Sequence, residues 1–184
     1  MKYIHRSHRS HRSHRSRFLQ RFAKRLGYLL VPIDAIGEFG EVNWANANDE
    51  SRRDYLEIQK AASATKFGLS WAKKDTCAQI IDCVRQRGFR YDEILCHGVR
   101  NGSELDFFRD AGAKTSVGSD LFVSESNRRV DVHEHNFSEP NPIWKGRFDL
   151  VYSNSIDHAL DPVATLLVWS EQVKKDGVIV LELD

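Results

Sequence analysis

The stretch Ile94-Leu95-Cys96-His97-Gly98-Val99-Arg100-Asn101-Gly102-Ser103-Glu104 holds the residue types and spacing that point most directly to chemistry. An apolar run leads into glycines and then into a helical pattern. That order places a helix N-terminus, with its outward-pointing N–H groups, under an anionic or zwitterionic ligand. Gly98 lacks a Cβ, so the backbone can turn there and come close to a ligand. Asp120 follows Gly98 by 22 residues, just after a second apolar run. A carboxylate at that spacing can accept both hydroxyls of a ribose.

The dinucleotide fingerprint is G-x-G-x-x-G, and this loop reads G-V-R-N-G. Arg100 stands where a second glycine admits a pyrophosphate, which disfavours NAD or a nucleotide sugar. A cofactor without a pyrophosphate, such as S-adenosylmethionine, tolerates the loop better. Other candidates carry two readings each. Asp157 and His158 can supply a base for an acceptor that must lose a proton. Equally, Asp157 can cap the following helix and His158 can make a structural hydrogen bond at its start. Cys96 and His97 are adjacent on a strand and point to opposite faces, so they cannot share a ligand. His97 is expected to pack beside the loop. His133 and His135 could face the same way, but Glu134 points elsewhere, and no metal site is expected. Trp144, after Pro140 and Pro142, either caps the pocket or packs.

The elements that must position these residues follow from periodicity. Asp49 to about Ala64 forms a polar helix, with Asp49 as its cap candidate. Asp75-Thr76 starts a helix whose apolar side is Ile80, Ile81 and Val84, stopped by Gly88. From Tyr91 short apolar strands alternate with helices. The strands are Glu93–Cys96, Lys114–Ser119, Val130–Val132, Phe148–Tyr152 and Val178–Leu183, with helices over Gly102–Asp110 and Pro162–Lys174. This alternation predicts an α/β fold: an open, mostly parallel sheet with helices on both faces.

The charge of +1 conceals an asymmetry. Residues 1–30 hold nine Lys and Arg and no acid, so the rest of the chain is net acidic. Four HRS tripeptides, His5 to Ser16, are too short a repeat to bury anything and predict a disordered arm over residues 1–16. Such an arm is either a solvated tail or an electrostatic contact for nucleic acid or anionic lipid. Phe18, Leu19, Phe22, Leu26, Leu29 and Leu30 share one helical arc opposite Arg17, Arg21, Lys24 and Arg25. This basic amphipathic helix, with a linker to residue 48, could lie on a membrane surface or dock on the domain or a partner. No apolar run reaches the roughly 20 residues of a membrane span, and no signal peptide is recognisable. The three cysteines show no CxxC spacing, so a reducing, cytoplasmic setting is expected without disulfides.

The segments Cys96 to Glu104, Phe148-Asp149-Leu150-Val151-Tyr152-Ser153-Asn154-Ser155-Ile156-Asp157-His158 and Asp161-Pro162 together resemble class I, Rossmann-like S-adenosylmethionine-dependent methyltransferases. Within them they are most similar to a bacterial and phage branch with a CHG-x-RNG-x-E loop and a YSNS-x-DH segment. Lys174-Lys175-Asp176-Gly177 resembles that family's turn before strand five. The resemblance implies the strand order 3-2-1-4-5 and S-adenosylmethionine as cofactor. It implies that Gly98, Arg100 and Gly102 line the methionine moiety, beside Cys96 and His97 at the end of strand one. Asp120, with Leu121 next to it, would hold the ribose. Asn136 and Phe137 would meet the adenine. Ser153, Asn154 and Asp157 would face the methyl group, with Asn154, Asp157 and His158 as the catalytic set. Cys96, Arg100 and Asn136 depart from the family's usual acid, glycine and acid. The family fold adds two more strands, so residues 49–184 are expected to be a C-terminally incomplete domain, whose bare fifth strand invites homodimerisation. A small molecule or glycan precursor is the expected acceptor, by analogy. The alternative is a non-catalytic binding or scaffold protein that acts through residues 1–30 at a membrane or nucleic acid.

Overall fold

The computed structural model describes residues 49–125 and 129–183. The HRS arm, the basic amphipathic segment and the linker lie outside the described residues. Helix α1 covers Asp49–Thr65 and α2 covers Lys74–Gln86. Five strands follow: β1 Glu93–His97, β2 Thr115–Asp120, β3 Val132–Glu134, β4 Phe148–Ser153 and β5 Val173–Leu181. Helix α3, Ser103–Asp110, joins β1 to β2. Helix α4, Pro162–Gln172, joins β4 to β5. The sheet order is β3-β2-β1-β4-β5, with every pairing parallel, as the alternation of strands and helices implies. No helix among the described residues is long and apolar enough to cross a membrane.

Alternation along the strands splits the core into two layers. Ile94 and Cys96 of β1, with Leu150 and Tyr152 of β4, meet Ile81 and Val84 of α2 and Leu105 and Phe108 of α3. Leu95 and Val151 face the other way, against Phe137, Trp144 and Trp169. Period-two side-chain direction and helical spacing at positions 77, 81 and 84 produce this division. Phe108, Trp144 and Trp169 are almost wholly buried. Each removes enough apolar surface from water to contribute roughly 2–3 kcal/mol.

Two strands differ from the expectation. Val130 is 98% exposed, and β3 pairs only from Val132 onward. Arg129 and Asp131 explain the shift. Arg129 bridges Asp106 and Asp131, and Arg109 bridges the same two acids, which pins the chain to α3 before the strand begins. Strand β5 starts at Val173, so α4 ends two residues early. Val173 pairs with Phe148 and Val178 with Leu150, leaving residues 174–177 as an irregularity within the strand instead of a turn ahead of it. Lys174 is held there by Glu93 Oε2 at 2.6 Å and by the buried Asp149 Oδ1 at 3.0 Å. The cap of α4 is Asp161, which accepts from Ala164 N at 2.9 Å, with Pro162 at the first helical position. Asp157 therefore has no capping role.

Candidate functional site

Parallel strands that end in register bring their following loops to one edge. His97 lies opposite both Ser119 and Ser153, so β1, β2 and β4 finish together. In open parallel sheets ligands bind at this carboxyl edge, where the strand order reverses. Here the reversal falls between β1 and β4.

The loop after β1 is built on β2. Gly98 N and Val99 N donate to Ser119 O at 2.8 and 3.2 Å. Gly98 has φ +75, and a Cβ there would lie 2.7 Å from Ser155 Cβ and Oγ. The glycine is thus required by the loop after β4, which packs directly against it. Arg100 has φ +47, a left-handed backbone that costs a side-chain-bearing residue about 1 kcal/mol. Its N–H donates to Asp120 Oδ2 at 2.7 Å, which holds that conformation. Arg100 Nη1 donates to Leu69 O at 3.2 Å, while Nε is buried with no partner. Gly102, φ +75, precedes the first turn of α3 and packs against Arg129 and Val132.

Asp120, the last residue of β2, is 6% exposed. Besides the Arg100 amide, its Oδ1 accepts from Ser63 Oγ at 2.8 Å and Phe122 N at 3.1 Å. A cleft open to solvent extends over it. Of the residues selected from sequence, Gly98, Arg100, Asp120, Leu121, Asn136, Phe137 and His158 line this cleft. The structure does not bring Cys96, His97, Gly102, Ser153, Asn154 or Asp157 to its wall.

Each of these six has a different position. Cys96 lies in the core beneath α2 and α3, and burial pushes its thiol well up. His97 is 1% exposed; its ring nitrogens meet Ser119 Oγ at 2.7 Å and Gln172 Oε1 at 2.8 Å, and it stacks on Trp169 at 4.7 Å. Burial drives its pKa down to about 3, so the ring is neutral. One ring nitrogen then donates and the other accepts. Ser153 is buried and donates to His97 O at 2.9 Å. Asn154 Oδ1 accepts from Ser155 Oγ at 3.0 Å. Asp157 is exposed, with Oδ2 3.9 Å from His158 Nε2. Gly102 lies behind the loop. His133, His135 and His97 all pack around Trp144, which is 2% exposed. Trp144 therefore packs and does not cap the cleft. Among the described residues no cluster of ligating side chains could hold a metal.

Sequence reasoning missed the contribution of α1. Leu56, Gln59 and Ser63 of α1, with Lys66 just past its end, line the cleft opposite the glycine loop. Their spacing of three, four and three residues marks one helical face. That signal was readable, but nothing in it says where the face docks. Lys60 Nζ donates to Glu134 Oε1 at 2.5 Å, and Tyr55 OH donates to His158 O at 3.0 Å. With Ser63, these bonds carry α1 across the ends of β2, β3 and the loop after β4. Glu104 was also missed. It is 5% exposed, Oε2 has no partner, and burial raises its pKa to about 7, with Asp120 and Glu182 adding to the rise and Arg100 opposing it.

No protein-family model and no curated protein matches the chain. Solved structures do. One is 1,6-didemethyltoxoflavin-N1-methyltransferase from Burkholderia thailandensis with bound 1,6-didemethyltoxoflavin and S-adenosylhomocysteine: TM-score 0.56, 19% identity, 73% of this chain and 64% of that chain. A second is a SAM-bound amino pentose methyltransferase from Micromonospora echinaspora involved in calicheamicin biosynthesis: TM-score 0.52, 19% identity, 67% of this chain and 55% of that one. The chain thus spans less than two thirds of the length of each. At this level of identity the likeness is one of fold.

Proposed function

We propose that the protein is an S-adenosylmethionine-dependent methyltransferase whose cofactor lies in the cleft over Asp120. The observation that carries this reading is the buried Asp120 carboxylate at the carboxyl end of β2, beside the Gly98–Gly102 loop. The methyltransferase structures of like fold support it, since they are described with S-adenosylmethionine or S-adenosylhomocysteine bound.

The residues present fit that cofactor. Asp120 can accept from the ribose hydroxyls. Arg100 offers a buried, unpartnered Nε beside the loop, a donor for the methionine carboxylate. Leu121 and Phe137 give apolar walls for adenine, and Asn136 a neutral hydrogen-bonding edge. When bound, the cofactor supplies a methyl group on a positively charged sulfur, already activated for in-line displacement. The protein's task is then mainly proximity and orientation.

His158 lines the cleft and is the imidazole there that can take a proton from an acceptor. Asp157 Oδ2 lies 3.9 Å from His158 Nε2. Asn154 acts one step removed, by orienting Ser155, which lines the cleft against Gly98. Gly102, Ser153, Cys96 and His97 support the loops from beneath. The acceptor we assign is a small molecule, sugars included. Equilibrium dialysis with methyl-labelled S-adenosylmethionine tests the reading. Label should be retained, displaced by S-adenosylhomocysteine and not displaced by NAD. No retained label, or equal displacement by NAD, would refute it.

A further inference from the structure

Asp120 already holds more hydrogen bonds than a carboxylate reserved for a ribose can spare. Oδ1 accepts from Ser63 Oγ at 2.8 Å and from Phe122 N at 3.1 Å, and Oδ2 accepts from Arg100 N at 2.7 Å. An ionised carboxylate has about four lone-pair sites. Three are taken, and the remaining one is on Oδ2. A ribose diol brings two donors, one for each oxygen. Two of the existing donors are backbone N–H groups fixed by the loops after β1 and β2. The third, Ser63, is a rotatable side chain on a separate element.

Ser63 also belongs to a strap. Helix α1 is tied to Glu134 through Lys60 and to the His158 carbonyl through Tyr55, so Ser63 is the middle of three polar attachments across the strand ends. We propose that Ser63 is a specificity-setting residue of the cleft: its hydroxyl competes with one ribose hydroxyl for Asp120 Oδ1. Bidentate engagement of the diol exchanges Ser63 for the ligand and releases the central attachment of α1. The inference rests on Asp120 as the ribose-binding acid, argued above. A ligand with a single ribose hydroxyl uses the open site on Oδ2 and leaves Ser63 in place. The serine therefore lowers affinity for the diol selectively, narrowing the advantage of a full ribose.

Calorimetric titration with S-adenosylhomocysteine and with its 2′-deoxy derivative tests this, on the wild type, Ser63→Ala and Lys60→Ala. Ser63→Ala should tighten S-adenosylhomocysteine by roughly 3- to 10-fold, the net worth of one ordinary hydrogen bond after exchange. It should leave the 2′-deoxy ligand unchanged. Lys60→Ala loosens α1 without touching Asp120 and should shift both ligands alike. Weaker binding of S-adenosylhomocysteine by Ser63→Ala, or an equal gain for both ligands, overturns the competition while leaving the cofactor reading intact. Failure of the wild type and Ser63→Ala alike to bind either ligand overturns both.

Discussion

Replacing Glu104 with Gln removes a buried charge at nearly constant shape, and the consequence can be worked through. Glu104 sits in the first turn of α3 with its carboxyl buried and one oxygen without a partner. Burial raises its pKa from 4.5 to about 7; Asp120 and Glu182 reinforce this, whereas its own backbone N–H and Arg100 oppose it. The folded state thus favours the protonated acid. Stability from this group is fully present below pH 4.5 and is lost as pH climbs towards 7, with no further change above. The span corresponds to about 3 kcal/mol. Gln cannot titrate, so Glu104→Gln should match the wild type near pH 4.5, apart from a constant offset for its own amide. It should gain about 3 kcal/mol relative to the wild type by pH 8, or a midpoint higher by roughly 6–12 °C. Urea unfolding of both proteins across pH 4.5–8 reads the difference directly. A difference that stays constant with pH would refute the assignment of a buried, destabilised carboxylate.

Further expectations follow from the loops and the core. Gly98→Ala forces a Cβ onto Ser155 and holds alanine at φ +75. It should cost at least about 2 kcal/mol in denaturant unfolding, and adding Ser155→Gly should restore only the steric part, leaving about 1 kcal/mol. His97, held down to about 3, should show ring resonances that do not shift between pH 8 and pH 5 by NMR. The sign is that of a base depressed by folding: its contribution is present above pH 6.5 and fades as pH falls through 6.5 towards 3. His97→Ala leaves Ser119 and Gln172 without partners in the core and should destabilise by about 3 kcal/mol, seen in the same unfolding assay.

The sheet was legible because short continuous apolar runs and helical stripes are local signals. Ile94-Leu95-Cys96 and Leu150-Val151-Tyr152 read as buried strands whatever they pack against, and Asp120 stands out by its spacing from Gly98. What local pattern did not reveal were properties set by contacts distant in sequence. The β3 boundary depends on Arg129 and Arg109 sharing Asp106 and Asp131. The early start of β5 depends on Lys174 reaching Glu93 and Asp149. Gly98 was expected to make room for a ligand; it lines the cleft and also makes room for Ser155, a residue 57 positions away that only the fold brings near. The α1 wall of the cleft reads in sequence as a polar helix, because Ser63 and Lys60 acquire meaning only against Asp120 and Glu134. His97 was expected from strand alternation to pack beside the loop, but its partner Trp169 lies 72 positions away and could not be read locally.

The most direct test of the account is calorimetric titration of the full chain with S-adenosylhomocysteine, beside an Asp120→Ala variant whose folding is verified by circular dichroism. Saturable binding by the wild type that Asp120→Ala loses by at least about tenfold, the worth of a hydrogen bond to a charged group, is the expected result. A folded wild type that takes up no S-adenosylhomocysteine, or an Asp120→Ala protein that binds it as tightly, would contradict the assignment of the cleft.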